Sequence, residues 1–256
     1  MKTIKDMRVV SATTLAGGRY ALLLTEPADG SRLPEIAPGQ FVQIAVEAPG
    51  VFLRRPISVN YVDRDANQLW LLVRDAGRAT HRLVDARPGQ VYNMILPLGN
   101  GWSLDTLPSR PLLVGGGVGV APLLHLGAEL RARSVEPVFL LGARTASDML
   151  QIDEFQKFGP VCLSTDDGSL GVPGTVVQNP VLTQGDFDRI YCCGPAPMMK
   201  AVARVARDRA IDCEVSLENM MACGLGACLC CVEKTVRGNV CVCTEGPVFN
   251  IKELTW

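Results

Sequence analysis

The end of the chain constrains its fold more than any other part: six of the ten cysteines fall between Cys223 and Cys243. The run reads Cys223-Gly-Leu-Gly-Ala-Cys228-Leu-Cys230-Cys231, with Cys241 and Cys243 a short way on. A disulfide scaffold of this density belongs to short exported chains. This chain has 256 residues, and Met1-Lys2-Thr3-Ile4-Lys5-Asp6 lacks the apolar core of a secretory signal. Thiolates are soft ligands, so the crowding points to a metal or cluster. C-x4-C-x2-C with a distant fourth cysteine is the plant-type spacing for a 2Fe–2S cluster. Gly224 and Gly226 permit the left-handed backbone that turns amides toward sulfur. A structural zinc site would show two well-separated C-x2-C knuckles, and only one clear pair stands here. Cys223, Cys228 and Cys231 are therefore expected ligands. The fourth is Cys241 or Cys243; two apart on a strand, they would face the same side. Cys230 is expected to be a bystander, and Cys162, Cys192, Cys193 and Cys213, in apolar surroundings, read as small buried hydrophobes.

The rest of the chain is ordinary in composition, with 48% hydrophobic and 20% charged residues and a net charge of −1. No sequence-wide basic field invites nucleic acid or an anionic membrane. Charged residues interrupt every apolar run before bilayer length, so a cytoplasmic protein is expected. Residues 1–102 show short β-like runs (Tyr20–Leu24, Phe41–Val46, Ile57–Val62, Leu69–Val73, Val91–Leu96) punctuated by Pro38-Gly39 and Pro88-Gly89. This rhythm predicts a small antiparallel barrel, interrupted by one helix from about Thr80 to Val84. Residues 103–217 change period. Strands at Pro111–Val114, Pro137–Leu141, Val161–Thr165, Arg189–Cys193 and Cys213–Leu217 alternate with helices at Ala121–Arg133 and Pro197–Arg209. That pattern predicts a parallel sheet with crossover helices. Residues 218–256 form a third unit, Gly- and Cys-rich and without helical period. The fold class is multi-domain α and β: barrel, α/β domain, cysteine module.

Three segments suggest ligand sites. Arg54-Arg55-Pro56-Ile57-Ser58 closes a strand group, where an Arg can pair with phosphate and a Ser hydroxyl can bond a ring nitrogen. Gly77-Arg-Ala79-Thr80 precedes the short helix, whose first amides favour an anion, although a plain Thr N-cap would give the same residues. Gly115-Gly116-Gly117-Val-Gly119-Val-Ala-Pro122 joins a strand to a helix, the context in which glycines approach a pyrophosphate. Cys193-Gly194-Pro195 would lie at the same carboxyl edge of the sheet, where open α/β folds bind ligands. Thr165-Asp166-Asp167-Gly168 also follows a strand; carboxylates near an adenosine ribose would disfavour a 2′-phosphate.

In this order the motifs resemble the ferredoxin–NADP reductase superfamily. With the tail Met221–Cys231 and Val242-Cys-Thr-Glu-Gly-Pro-Val-Phe249, the chain is similar throughout to the electron transfer subunits of dihydroorotate dehydrogenase B. The resemblance implies a barrel binding FAD, an α/β domain binding NAD, and a 2Fe–2S module. It implies FAD contacts at Arg55, Pro56, Ile57, Ser58, Leu72, Val73, Arg74, Ala79 and Thr80, with Ala79 where the family usually has Gly. It implies nucleotide contacts at Gly115, Gly116, Gly117, Gly119, Cys193, Gly194 and Pro195. It selects Cys243 over Cys241, because the family's fourth ligand directly precedes the acidic Gly-Pro-Val-Phe segment. The implied partner is an FMN-containing catalytic subunit that oxidises dihydroorotate in pyrimidine biosynthesis, in a heterotetramer with two of each chain. Electron-bifurcating NADH-dependent ferredoxin–NADP reductases carry a similar subunit, but typically with Asp at the first ligand position, where Cys223 stands. A diaphorase-type subunit of a hydrogenase or of a sulfite- or glutamate-linked reductase would share every motif. No side chain is expected to act as acid or base, and neither His81 nor His125 sits in a recognisable catalytic motif.

Overall fold

The computed structural model describes residues 1–256. Six strands close a barrel: β1 (Thr3–Leu15), β2 (Tyr20–Pro27), β3 (Phe41–Ile44), β4 (Arg55–Asp63), β5 (Gln68–Arg74) and β6 (Val91–Leu98). Their order around it is β1-β2-β5-β4-β3-β6. All neighbours are antiparallel, with α1 (Arg78–Val84) inserted between β5 and β6. Side chains alternate across each strand, so Leu23, Val42, Ile44, Leu69, Leu71 and Met94 fill the barrel interior. β1 was not anticipated. Its 13 residues bury only Met7 and Val9, and charged residues at Lys5, Asp6 and Arg8 hide the alternation.

The second unit is built on a seven-stranded sheet. Its strands are β7 (Pro111–Gly116), β8 (Val138–Ala143), β9 (Val161–Thr165), β10 (Val172–Pro173), β11 (Arg189–Cys193), β12 (Asp212–Ser216) and β15 (Val248–Asn250). The order is β10-β9-β8-β7-β11-β12-β15, parallel except for β15. The chain runs outward from β7 on one side and returns to its other side at β11, which makes that pair the topological switch point. The helices are α2 (Ala121–Ala132), α3 (Ile152–Gln156), α4 (Pro180–Gln184) and α5 (Ala196–Asp208). On α5 the buried residues are Met199, Val202, Ala203 and Ala206, the i, i+3, i+4, i+7 stripe of a helix lying on a sheet. On α2 burial runs almost all round, from Ala121 to Leu126, because the helix lies between sheet and barrel. Asn60 of β4 donates to the Ala121 carbonyl (3.0 Å) and exchanges amide hydrogen bonds with Gln151 (3.0 and 2.9 Å), tying the two units together.

The tail begins with an irregular loop, then a hairpin of β13 (Val232–Thr235) and β14 (Gly238–Cys241), then a single helical turn, α6 (Val242–Glu245). It does not stand wholly apart, since β15 pairs with β12 and Phe249 joins the core under α5. It also grips the barrel. Asn100 donates its backbone amide to the Gly246 carbonyl (2.6 Å) and its side chain to the Thr244 and Glu245 carbonyls (3.0 and 3.1 Å). No helix is long and apolar enough to cross a membrane.

Candidate redox and nucleotide site

At the switch point the glycine turns after β7 and β11 touch backbone to backbone. A methyl group on Gly119 would lie 2.5 Å from Gly194 Cα and 2.6 Å from the Cys193 carbonyl oxygen. Only glycine permits that approach. Beside the two turns opens a cavity of about 660 Å³. Of the residues expected from sequence, Arg74, Gly116, Gly117, Gly119, Gly194 and Pro195 line it. Gly115 does not; it packs under Val120 and Leu123. Cys193 is buried beneath the turn, and burial pushes its thiol up to about 12, so it remains a neutral, unreactive SH.

The cavity also takes residues that sequence reasoning passed over: Tyr20, Arg144, Asp148 and Glu218. Arg144 follows β8 and Glu218 lies just past β12, so the signal for both was their place beyond a strand's carboxyl end. Asp166 lines the cavity, whereas Asp167 turns away to accept from Ser169 N and Oγ (3.0 and 2.6 Å). Arg19, on the barrel side, forms an ion pair with Asp148 across the rim.

Apart from Arg74, the barrel residues expected from sequence lie outside this lining. Arg54 and Arg55 look alike in sequence but differ in space. Arg54 is committed to structure, donating to the Asn93 carbonyl (2.8 Å) and side chain (2.5 Å). Arg55 bonds only the carbonyls of Leu53 (2.7 Å) and Arg54 (3.2 Å) through one nitrogen, which leaves most of its fork for an anion. Pro56 and Ser58 stand opposite Gln43 and Phe41 on β3, and so share their outward face. Ile57 packs toward the barrel core, and Leu72, Val73 and Ala79 are buried, so those four can offer backbone and apolar surface rather than polar side chains. Thr80 is not a free donor: its hydroxyl accepts from Ala76 N (2.8 Å) and donates to the Gly77 carbonyl (3.0 Å).

In the cysteine loop, backbone amides face sulfur. Leu225 N donates to Cys223 Sγ (3.3 Å), Gly226 N to Cys243 Sγ (3.1 Å) and Cys243 N to Cys231 Sγ (3.4 Å). Positive φ at Gly224 (70°), Gly226 (84°) and Leu229 (58°) turns the chain so that these amides point inward. The amides, Leu225 foremost, pull the Cys223 thiol down to about 6, because they stabilise its thiolate. Burial pushes Cys243 up to about 12. Cys231 and Cys243 are buried, whereas Cys228 and Cys230 are exposed. Cys241 and Cys243 do not share a strand, so the condition under which they would face the same side is not met. Cys241 ends β14, and Cys243 lies in the turn α6, where it receives an amide; Cys241 Sγ instead faces the Gly226 carbonyl (4.0 Å). Soft donors spread around a loop, with amides aimed at their sulfurs, suit a two-iron cluster better than one zinc ion.

A β-barrel, a switch-point cavity in a parallel sheet and a cysteine loop between them define an iron–sulfur oxidoreductase with the ferredoxin reductase fold. Residues 218–255 match the family model of the iron–sulfur cluster binding domain of dihydroorotate dehydrogenase B. The chain is 38% identical to the dihydroorotate dehydrogenase B (NAD(+)) electron transfer subunit of Bacillus caldolyticus, over 97% of each chain. It is 40% identical to the protein of that name from Geobacillus thermodenitrificans, again over 97% of each. The chain belongs to this family of electron transfer subunits. Among solved structures, an NADH-dependent reduced ferredoxin–NADP oxidoreductase superposes with a TM-score of 0.85 at 28% identity, covering 98% of this chain and 90% of that one. Phthalate dioxygenase reductase shares the fold, with a TM-score of 0.68 at 17% identity over 94% of each chain.

Proposed function

We propose that this chain carries electrons from an FMN-containing catalytic subunit, which oxidises dihydroorotate, to NAD+. It would do so as half of a cytoplasmic heterotetramer with two copies of each subunit. FAD would supply the chemistry that couples the one-electron exchange of a 2Fe–2S cluster to the hydride exchange of NAD. Residues 1–102 would hold FAD, with Arg55 on its pyrophosphate and Pro56–Ser58 along the flavin; residues 103–217 would hold NAD; residues 218–256 would hold the cluster. Cys223, Cys228, Cys231 and Cys243 are the proposed ligands. Gly116, Gly117, Gly119 and Gly194 would admit the dinucleotide's pyrophosphate. Asp166 would sit toward the adenosine ribose, where its charge opposes a 2′-phosphate.

The observation that carries this proposal is the tail's position. The cysteine loop packs on the outer face of β3, whose neighbour β4 bears Arg55–Ser58, while the glycine-lined cavity opens at the sheet edge. The purified chain is expected to oxidise NADH with an artificial acceptor but not to turn over dihydroorotate. Adding the FMN-containing subunit should produce dihydroorotate-dependent NAD reduction. Dihydroorotate turnover by the chain alone would sink the proposal. A second reading is a diaphorase-type subunit serving another donor. The 28% identical ferredoxin–NADP oxidoreductase structure favours it; Cys223 opposes only the electron-bifurcating reductases, which typically carry Asp there, since a hydrogenase-, sulfite- or glutamate-linked subunit would share every motif. The polypeptide that copurifies separates the two.

A further inference from the structure

Gln43 is the one fully buried side chain whose amide finds neither donor nor acceptor partner: it has 0% exposure, and both Nε2 and Oε1 are unpaired. Leaving such a group unpaired costs the full desolvation of the amide, so its position calls for an explanation. The alternation of β3 sets the context. Val42 and Ile44 point into the barrel core, whereas Phe41 points outward into the cluster of side chains that includes Cys231, Val242 and Cys243. Gln43 shares that outward face. There it lies against Gly224, next to Cys223. Gln43 Nε2 lies 2.8 Å from where a Cβ on Gly224 would stand, so glycine is what lets the amide reach the loop. In register, Gln43 pairs with Pro56 of β4, on the strand proposed to line the flavin. Gln43 thus stands between the two candidate redox centres, with its polar end against the cysteine loop.

We propose that the Gln43 carboxamide is a positioning and tuning residue for the iron–sulfur cluster, its NH2 donating a hydrogen bond to sulfur on the Cys223 side. This rests on the cluster assignment made above. A hydrogen bond to sulfur spreads the added negative charge of the reduced cluster and so raises its reduction potential. The donor therefore makes the cluster the better acceptor in electron exchange with FAD. Of the two cofactors the cluster is favoured as partner because the amide nitrogen meets Gly224 itself, while Pro56 is a strand neighbour with no polar hydrogen.

The test is an EPR-monitored redox titration of the purified holoprotein and of three variants. Gln43→Met keeps the length and removes the donor; Gln43→Glu keeps the shape and adds charge; Gln43→Asn keeps the amide on a shorter stem. Iron, sulfide and FAD contents are measured alongside. The expected order of cluster potential is wild type highest, then Asn, then Met, then Glu. The Met variant should shift the one-electron equilibrium between FAD and cluster about tenfold, equivalent to 59 mV. The EPR g-values should change while iron and FAD stay stoichiometric. A cluster potential in Gln43→Met equal to wild type would overturn the proposal and leave a packing role. A shift confined to the FAD potential would also overturn it and assign the amide to the flavin. A wild-type protein without iron and sulfide would overturn the cluster assignment together with the inference.

Discussion

The carboxyl edge of the sheet and the cysteine loop are both made with glycine, but for opposite reasons. At the sheet edge glycine supplies room. Gly119 has an ordinary backbone and is required because Gly194 stands where its side chain would go. In the cysteine loop glycine supplies direction. Gly224 and Gly226 take left-handed φ, and Gly226 N thereby reaches Cys243 Sγ. The consequence is a difference in preorganisation. Two strands, two helices and a parallel ladder define the edge, so its cavity keeps its shape through packing alone. The loop has no regular structure between Ser216 and Val232, and two of its thiols, Cys228 and Cys230, face outward. Its geometry depends on the thiolates being tied to metal.

The largest effect should come from breaking that tie. Cys243→Ser is expected to abolish the iron–sulfur absorbance and to lower the thermal midpoint. Flavin absorbance and NADH oxidation with an artificial acceptor should survive, because the sheet edge does not depend on the loop. Cys241→Ser and Cys230→Ser should keep nearly full iron. Loss of iron from Cys241→Ser, but not from Cys243→Ser, would make Cys241 the fourth ligand and remove the significance given to the Gly226 amide.

A smaller effect in the opposite compartment is expected from Gly119→Ala. The added methyl meets backbone on both sides, so relief requires the two turns to separate. Overpacking of this kind costs about 1–3 kcal/mol. Chemical denaturation should register that loss, and the KM for NADH should rise, while iron content stays at the wild-type level. Unchanged NADH affinity would mean that the turns are not held as a unit, and the contrast between packed edge and tied loop would fail.

Much of this was legible in the sequence where local pattern and tertiary role agree. The strand–turn–helix at Val114–Pro122 reads correctly because sterics within a dozen residues decide it. The thiol spacing is legible for the same reason. Three features were hidden because distant residues decide them. Polar residues mask β1, whose inward side chains are only Met7 and Val9 over 13 residues. Nothing adjacent separates Arg54 from Arg55, and only the family resemblance picked the second; Asn93, on another strand, occupies the first and leaves the second. Gln43 looks like an interruption in the apolar run Phe41–Val46, and its neighbour Gly224 lies far along the chain. The Cys241–Cys243 pair misled because a two-residue spacing implies one face only while the strand continues, and here it ends at Cys241.

The smallest effect expected is a pH dependence that separates the sheet side of the molecule from the barrel rim. His125, on α2, is buried and donates Nε2–H to the Ile36 carbonyl (3.3 Å), holding the helix against the barrel. Burial lowers its pKa from the ordinary 6.5, only partly offset by that hydrogen bond and by Glu129. The folded state therefore prefers the neutral imidazole. Its contribution is complete above about pH 6.5 and is lost as pH falls from there through the lowered value. His81, on α1, is exposed and raised instead, chiefly by its hydrogen bond to Asp75 (2.8 Å). Its contribution is complete below about pH 6.5 and is lost as pH rises through the raised value. The two histidines, the only ones in the chain, thus bend the stability curve in opposite directions. Urea midpoints measured from pH 5 to 8 should show His125→Gln flattening the acid limb and His81→Gln flattening the alkaline one. The slope removed with His125 is at most one proton, about 1.4 kcal/mol per pH unit; exposed His81, screened by solvent, should show the smaller change. An acid limb unchanged in His125→Gln would mean that α2 is not clamped to the Ile36 carbonyl by a neutral imidazole.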